Sequence, residues 1–234
     1  MSNEDQSREQ YEELAYLVGH LFKAHPWHGI SVGENSPECI NAYIEIVTPD
    51  SVKFEVDKET GHLRLDRPQR YSNVSPTLYG LVPQTYCGPR VAEVFNKALG
   101  RDDIVGDGDP LDVCVLSEKS FSHGDFMMEA IPIGGFRMLD GNEADDKIIA
   151  VMQGDASFGG WSDITDCPQS VLERLKHYFE TYKDAPNEQN RICEITHIYG
   201  AEEAKDIIQR SKEDYQEQFP RLRGALRFLH NLHQ

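Results

Sequence analysis

Apolar residues alternate with polar ones through the N-terminal and central parts of the chain, and recur at three- and four-residue spacing toward its C-terminal part. The first period is that of strands and the second that of helices. Strands are predicted at 43–47 and 52–57 and, past a Glu59-Thr60-Gly61 turn, at Leu63 and Leu65. The three read as a β meander, with Lys53 and Glu55 on one face and Val52, Phe54 and Val56 on the other. Further strands are predicted at 111–116, 127–133, 136–139 and 147–152, separated by turn signals at Gly134-Gly135 and Asp140-Gly141-Asn142. Many short strands at this spacing suggest a small barrel. Pro168 opens a helix carrying Val171, Leu172, Leu175, Tyr178, Phe179 and Tyr182; another covers about 201–217, and a last, more basic one lies near 221–230. At the other end, Ser7 and Gln10 form a capping-box pattern ahead of the stripe Tyr11, Leu14, Leu17, Val18, Leu21 and Phe22, which should stop before Pro26.

No Gly/Ser-rich or Pro-rich linker divides the 234 residues, so a single domain is expected. Its core would span about 41–184, with a helical extension over 1–38 and helices over 201–234. Asp and Glu number 40 against 23 Lys and Arg, a formal charge of -17, which opposes non-specific attraction to nucleic acid or anionic lipid. An anionic substrate must then be received by a few local cations. No apolar run is long enough to span a membrane and the N-terminus is acidic, which together read as cytoplasmic. The five cysteines are scattered and form no Cys-x-x-Cys, so free thiols are expected.

The densest chemistry lies in Asp107-Gly108-Asp109-Pro110-Leu111-Asp112. Three ionised carboxylates on so short a stretch repel one another and call for a counter-charge. Hard divalent ions meet that need through oxygen ligands. Taken alone, Asp-Gly-Asp also reads as a solvated turn. An EF-hand loop opening at Asp107 would find Glu118 in its twelfth place, but Leu111 falls on a ligand position and Asp112 where the turn needs glycine. A second acidic group, Asp140, Glu143, Asp145 and Asp146, precedes Lys147 and alone would be an exposed turn. Lys53, Arg67, Lys147 and Lys183 stand at predicted element edges near tyrosines or acids, which suits phosphate clamping, although ordinary surface charge has the same appearance.

The order of these motifs resembles the soluble family I inorganic pyrophosphatases, over about 41–184. Asp107 to Asp112 meets the family's Asp-Gly-Asp-Pro-apolar-Asp signature in full. Ahead of it, Tyr43-Ile44-Glu45-Ile46, Val52-Lys53-Phe54-Glu55, Leu65-Asp66-Arg67 and Tyr79-Gly80-Leu81-Val82-Pro83-Gln84-Thr85 are similar to the glutamate, lysine, arginine and tyrosine segments. Behind it, Met138-Leu139-Asp140 with Asp145-Asp146-Lys147 resembles the second metal loop, and Tyr178 to Asp184 the helix ending in a tyrosine-lysine pair.

The resemblance implies an α+β, β-rich fold, a five-stranded OB-like closed barrel with flanking helices, and metal-dependent hydrolysis of pyrophosphate to two orthophosphates. It implies that Asp107, Asp112 and Asp145 hold a first metal, that Asp112 is shared with a second, that Asp140 and Asp145 hold a third, and that Glu45 serves a further one mainly through water. Asp109 would be the general base, Lys53, Arg67, Tyr79, Lys147, Tyr182 and Lys183 would bind the phosphates, and Glu55 would line the cavity. Three to four Mg²⁺ per site are implied, with Mn²⁺ or Zn²⁺ as substitutes, pyrophosphate as the partner, no nucleic acid or membrane, and a homo-oligomer. The chain departs from the family pattern at Ser75 and Leu78, where a tyrosine and an asparagine are usual, and at Gly141, which replaces an acid. The stretch 87–105 is longer than in short bacterial members, and either caps the site or packs on a neighbour. Two rival readings stand beside this one: a non-catalytic phosphate or metal sensor on the same scaffold, and a metal-dependent nuclease, which the acidic composition disfavours.

Overall fold

Runs such as Ile148-Ile149-Ala150-Val151, apolar at every position, belong to a strand covered on both faces. In the computed structural model, which describes residue 18 and residues 22–48, 50–70, 73–184 and 192–220, that strand is one of five in a closed ring. The ring is built from β1 (Ile40–Ile46), β4 (Leu78–Leu81), β6 (Asp112–Leu116), β9 (Lys147–Met152) and β7 (Phe126–Asp140), each hydrogen-bonded to the next, with β7 returning to β1. All neighbours are antiparallel except β6 and β9, which run parallel. The expected five-stranded barrel is therefore present.

Alternation divides the strands between two cores. Val113 and Val115 of β6 and Ile148 and Ala150 of β9 join Ala204, Ile207 and Ile208 of the helix α3 (Ala201–Gln218). The intervening Cys114, Leu116, Ile149 and Val151 join Leu172, Leu175 and Phe179 of α2 (Gln169–Thr181). Burial of such side chains supplies roughly 1.5–3 kcal/mol each, before the entropy of ordering them is counted. Both helices fall close to their expected spans, with Pro168 at the start of α2.

Two expectations change, and two further features are added. The predicted meander separates: β1 belongs to the ring, whereas β2 (Val52–Val56) and β3 (Leu63–Pro68), among the described residues, pair only with each other, with a bulge after Lys53. Gly134-Gly135 is no turn; it lies inside the 15-residue β7. A methyl group on Gly135 would sit 2.4 Å from the Tyr199 hydroxyl and 2.5 Å from its ring, and one on Gly134 2.4 Å from the Tyr199 carbonyl oxygen, so the glycines admit β10 (Cys193–Gly200) against β7. The stretch 87–105 contains a helix, α1 (Pro89–Leu99), that packs on this same chain. Val91 and Phe95 meet Ile104, Leu139 and Ala144, and Arg90 binds Asp214 of α3 at 2.9 Å. Finally, β5 (Val105–Gly106) and β8 (Glu143–Ala144) form a short parallel pair beside β7.

Of the N-terminal stripe only Val18 and Phe22 are among the described residues, both exposed, and the basic helix expected near 221–230 lies outside them. The five cysteines are free thiols, as expected. Among the described residues no helix is long and apolar enough to cross a membrane.

Candidate active site

The parallel register of β6 and β9 sets Asp112 directly opposite Lys147 at the rim of the barrel. That rim opens on a cavity of about 370 Å³. All thirteen side chains singled out in the sequence line it: Glu45, Lys53, Glu55, Arg67, Tyr79, Asp107, Asp109, Asp112, Asp140, Asp145, Lys147, Tyr182 and Lys183. They arrive from β1, β2, β3, β4, β6, β7, β9, the end of α2 and the loops between, so the rim of the ring and the separate β2–β3 hairpin assemble the set together.

The aspartate loop is held by its backbone. Gly108 takes φ 76°, a left-handed conformation that glycine adopts freely. The Cys87 amide donates to the Asp109 carbonyl at 2.8 Å, the Asp109 amide to Asp107 Oδ1 at 2.9 Å, and the Leu111 amide to Thr85 Oγ1 at 2.9 Å. Thus the Tyr79 segment, which continues through Thr85, also fastens the metal-type loop.

Acids and bases are closely interleaved. Lys147, 1 % exposed, donates to both Asp112 Oδ2 and Asp145 Oδ1, which rules out a role as ordinary surface charge. Tyr79 Oη donates to Asp112 Oδ2 at 2.5 Å. Lys183 binds Asp140, and Lys53 lies 3.2 Å from both Glu55 and Asp66. The Arg67 guanidinium lies 6.0 Å and Lys183 Nζ 5.4 Å from the Tyr182 ring centroid. Glu45 Oε1 accepts from the Val56 amide at 2.6 Å, tying β1 to the β2–β3 hairpin.

Burial raises the cost of charge here. Asp107 is pushed up to about 8 by desolvation and by the charges of Asp145, Asp112 and Asp109, against the hydrogen bond it accepts from the Asp109 amide. Glu45 is likewise pushed up to about 8 by burial, with Asp112 and Glu55 adding to the effect. Burial pulls Lys147 down, but Asp112 and Asp145 outweigh it and hold the ammonium firmly protonated. The cluster therefore carries carboxyls that the lysines alone do not neutralise. Among the described residues no three acidic, His or Cys side chains form a ready-made cage, since ammonium groups stand between them.

A model of the inorganic pyrophosphatase family matches residues 42–216. The chain belongs to that family. It is 51 % identical over 195 residues to the inorganic pyrophosphatase of Chlamydia muridarum, covering 82 % of this chain and 93 % of that one. The Chlamydia trachomatis inorganic pyrophosphatase is 50 % identical over 196 residues, covering 82 % and 94 %. Among solved structures, the inorganic pyrophosphatase of Thermus thermophilus superposes with a TM-score of 0.68 at 27 % identity, covering 82 % of this chain and 99 % of that one. As a member of the family the chain is a hydrolase of the diphosphate bond with a divalent-metal requirement, and the non-catalytic reading is not favoured.

The pyrophosphatase cavity also holds residues that the sequence reading left without a role. Trp27 comes from the segment ahead of β1, Lys58 from the β2–β3 turn, Gln69 from the end of β3 and Tyr178 from α2. Tyr178 sits in the motif ending at Asp184, and its hydroxyl on a cavity-facing helix stripe was a usable signal. Lys58 gave none, because Asp57-Lys58-Glu59-Thr60-Gly61 has the composition of any solvated turn.

Proposed function

We propose that this chain hydrolyses pyrophosphate by in-line attack of a water whose proton passes to Asp109, beside divalent ions held by Asp107, Asp112, Asp140, Asp145 and Glu45. The observation that carries the reading is the convergence of these carboxylates with Lys53, Arg67, Tyr79, Lys147, Tyr182 and Lys183 on one cavity. The donor set fits hard divalent ions: it is all oxygen, and added positive charge would favour the ionised forms of Asp107 and Glu45, which burial and neighbouring carboxylates push up. A few carboxylates with room for water and phosphate oxygens favour Mg²⁺. Such ions supply a water of lowered pKa and neutralise phosphate oxygens.

The chain's own groups divide the remaining work. Asp109 is set between two ligand-type aspartates, yet its carboxylate stands apart from the Lys147–Asp112–Asp145 cluster and is paired with Lys58 instead. Lys58 takes Oδ1, and Oδ2, which has no other partner among the described residues, is left to accept a proton. Arg67, Lys53 and Lys183, with the hydroxyls of Tyr79 and Tyr182, receive the dianionic ends of the substrate and offset the charge that develops on the leaving phosphate. Lys147 lies deepest and meets the same oxygens from the barrel rim.

Two variants separate the roles. Asp109→Asn should lose about a hundredfold or more in kcat while Mg²⁺ still binds, as calorimetric titration would show. Asp112→Ala should weaken Mg²⁺ binding as well as turnover. Near wild-type kcat in Asp109→Asn would remove it as the base, and unchanged Mg²⁺ affinity in Asp112→Ala would remove that residue from the ligand set.

A further inference from the structure

The turn joining β2 to β3 stands at the mouth of the cavity, and it is fixed from within and without. Asp57 Oδ1 accepts from the Thr60 amide at 2.8 Å and hydroxyl at 2.7 Å, and the Gly61 amide donates to the Asp57 carbonyl at 2.8 Å. On its outer side the turn docks on the segment ahead of β1. A methyl group on Gly61, whose φ is 73°, would lie 2.8 Å from the His25 ring and 3.1 Å from Pro26. From this platform Lys58 crosses to Asp109 Oδ1, 51 residues further along the chain.

The pairing is unlike those of the other cavity lysines. Lys147 and Lys183 sit on acids proposed as metal ligands, and Lys53 on Glu55 and Asp66. Lys58 instead meets the acid proposed for proton transfer. Among the described residues the Asp109 carboxylate has no other hydrogen bond or ion pair, and the backbone bonds that anchor the loop around it, through the Gly108, Asp109 and Leu111 amides and the Asp109 carbonyl, leave that carboxylate unheld. Asp107 and Asp112, two positions before and three after it, belong to the carboxylate cluster that attracts cations. A carboxylate with free side-chain torsions beside such a cluster would turn inward as one more ligand, and a carboxylate bound to a cation is a poor base.

We propose that Lys58 is a positioning residue that holds the Asp109 carboxylate away from the cation cluster, keeping it a base and not a ligand. The inference rests on the reading of Asp109 as the base. The pair is half exposed, 48 % for Lys58 and 40 % for Asp109, so its loss should hardly alter folding stability and its effects report on position.

The test compares the wild type, Lys58→Met, Lys58→Arg, Asp109→Asn and the Lys58→Met/Asp109→Asn double variant. Mg²⁺ is titrated calorimetrically without substrate, and pyrophosphate kinetics are measured in parallel. Lys58→Met should lower kcat about tenfold with KM nearly unchanged, the cost of a misplaced catalytic group. It should also tighten Mg²⁺ binding by about threefold, because Asp109 joins the ligand set, and this tightening should vanish when Asp109 is already Asn. Lys58→Arg should restore both values, since a guanidinium pairs with a carboxylate at least as well. A raised KM with unchanged kcat would make Lys58 a substrate contact and overturn the proposal. Equal tightening of Mg²⁺ in the Asp109→Asn background would report lost charge alone and would overturn it too. If Asp109→Asn turns over pyrophosphate normally, the assignment of the base fails first and the role of Lys58 falls with it; an inactive Asp109→Asn beside an unaffected Lys58→Met refutes Lys58 alone.

Discussion

Lys147 shows at the scale of one residue why this cavity needs both signs of charge. Its ammonium is buried between Asp112 and Asp145, 5.9 Å from the Tyr79 ring centroid and 5.8 Å from that of Phe179. Removing one member of a buried ion pair leaves the rest uncompensated, at a cost of about 3–5 kcal/mol. Lys147→Met should therefore melt well below the wild type in chelator, and Mg²⁺ should recover much of the difference by replacing the lost positive charge. Equal melting temperatures in chelator would show that the two aspartates are neutral without Lys147. At this scale the site was largely legible in the sequence, because Asp107 to Asp112 and the Lys147 segment carry spacing that a local motif preserves. Lys58 was not legible, since its meaning lies in a contact with Asp109 that only the folded hairpin creates.

Glycines decide how the elements meet. Gly134-Gly135 resembles a turn in sequence, yet it is where β7 lets Tyr199 of β10 come close. The alternation of β10 is itself interrupted by a register shift between Ile195 and His197, which blurs the pattern that would have announced a strand. The helix α1 does carry signals in its sequence, Pro89 at its first turn and Gly100 in the left-handed conformation after its end. Two substitutions should behave very differently. Gly141→Ala meets open space and only the strain of φ 63°, about 1 kcal/mol. Gly135→Ala must displace the Tyr199 ring and should cost roughly 1–3 kcal/mol or more. Urea unfolding of both variants checks the ordering, and a Gly135→Ala protein as stable as Gly141→Ala would show that β10 shifts without penalty.

For the molecule as a whole, the strand spacing points to a small barrel but not to which strands close it. The pairing of Ile40 with Ala130 and Ile44 with Phe126 turns a row of strands into a ring, and it joins residues far apart in sequence. The segment before β1 is bound to α3 in a similar long-range way: His28 Nδ1 and Tyr215 Oη are 2.9 Å apart, and the Trp27 and His28 rings stack at 4.4 Å. His28 is pulled down to about 4 by burial and then by the charge of His25. Between about 4 and its ordinary 6.5 the unfolded chain thus binds a proton that the folded chain refuses, so His28 removes stability as pH falls through that window. In thermal melts at pH 7 and pH 5, the wild type should lose more than His28→Gln; equal losses would mean that His28 titrates alike in both states.

Phosphate release from pyrophosphate by the purified protein, measured with Mg²⁺ and then with excess chelator, decides whether this cavity carries out the reaction assigned to it. Rapid release with Mg²⁺ that stops in chelator and returns on adding the metal is the predicted result. Absence of release with Mg²⁺, from protein that binds the ion and melts cooperatively, would contradict the assignment of this carboxylate and lysine cluster as a working pyrophosphatase site.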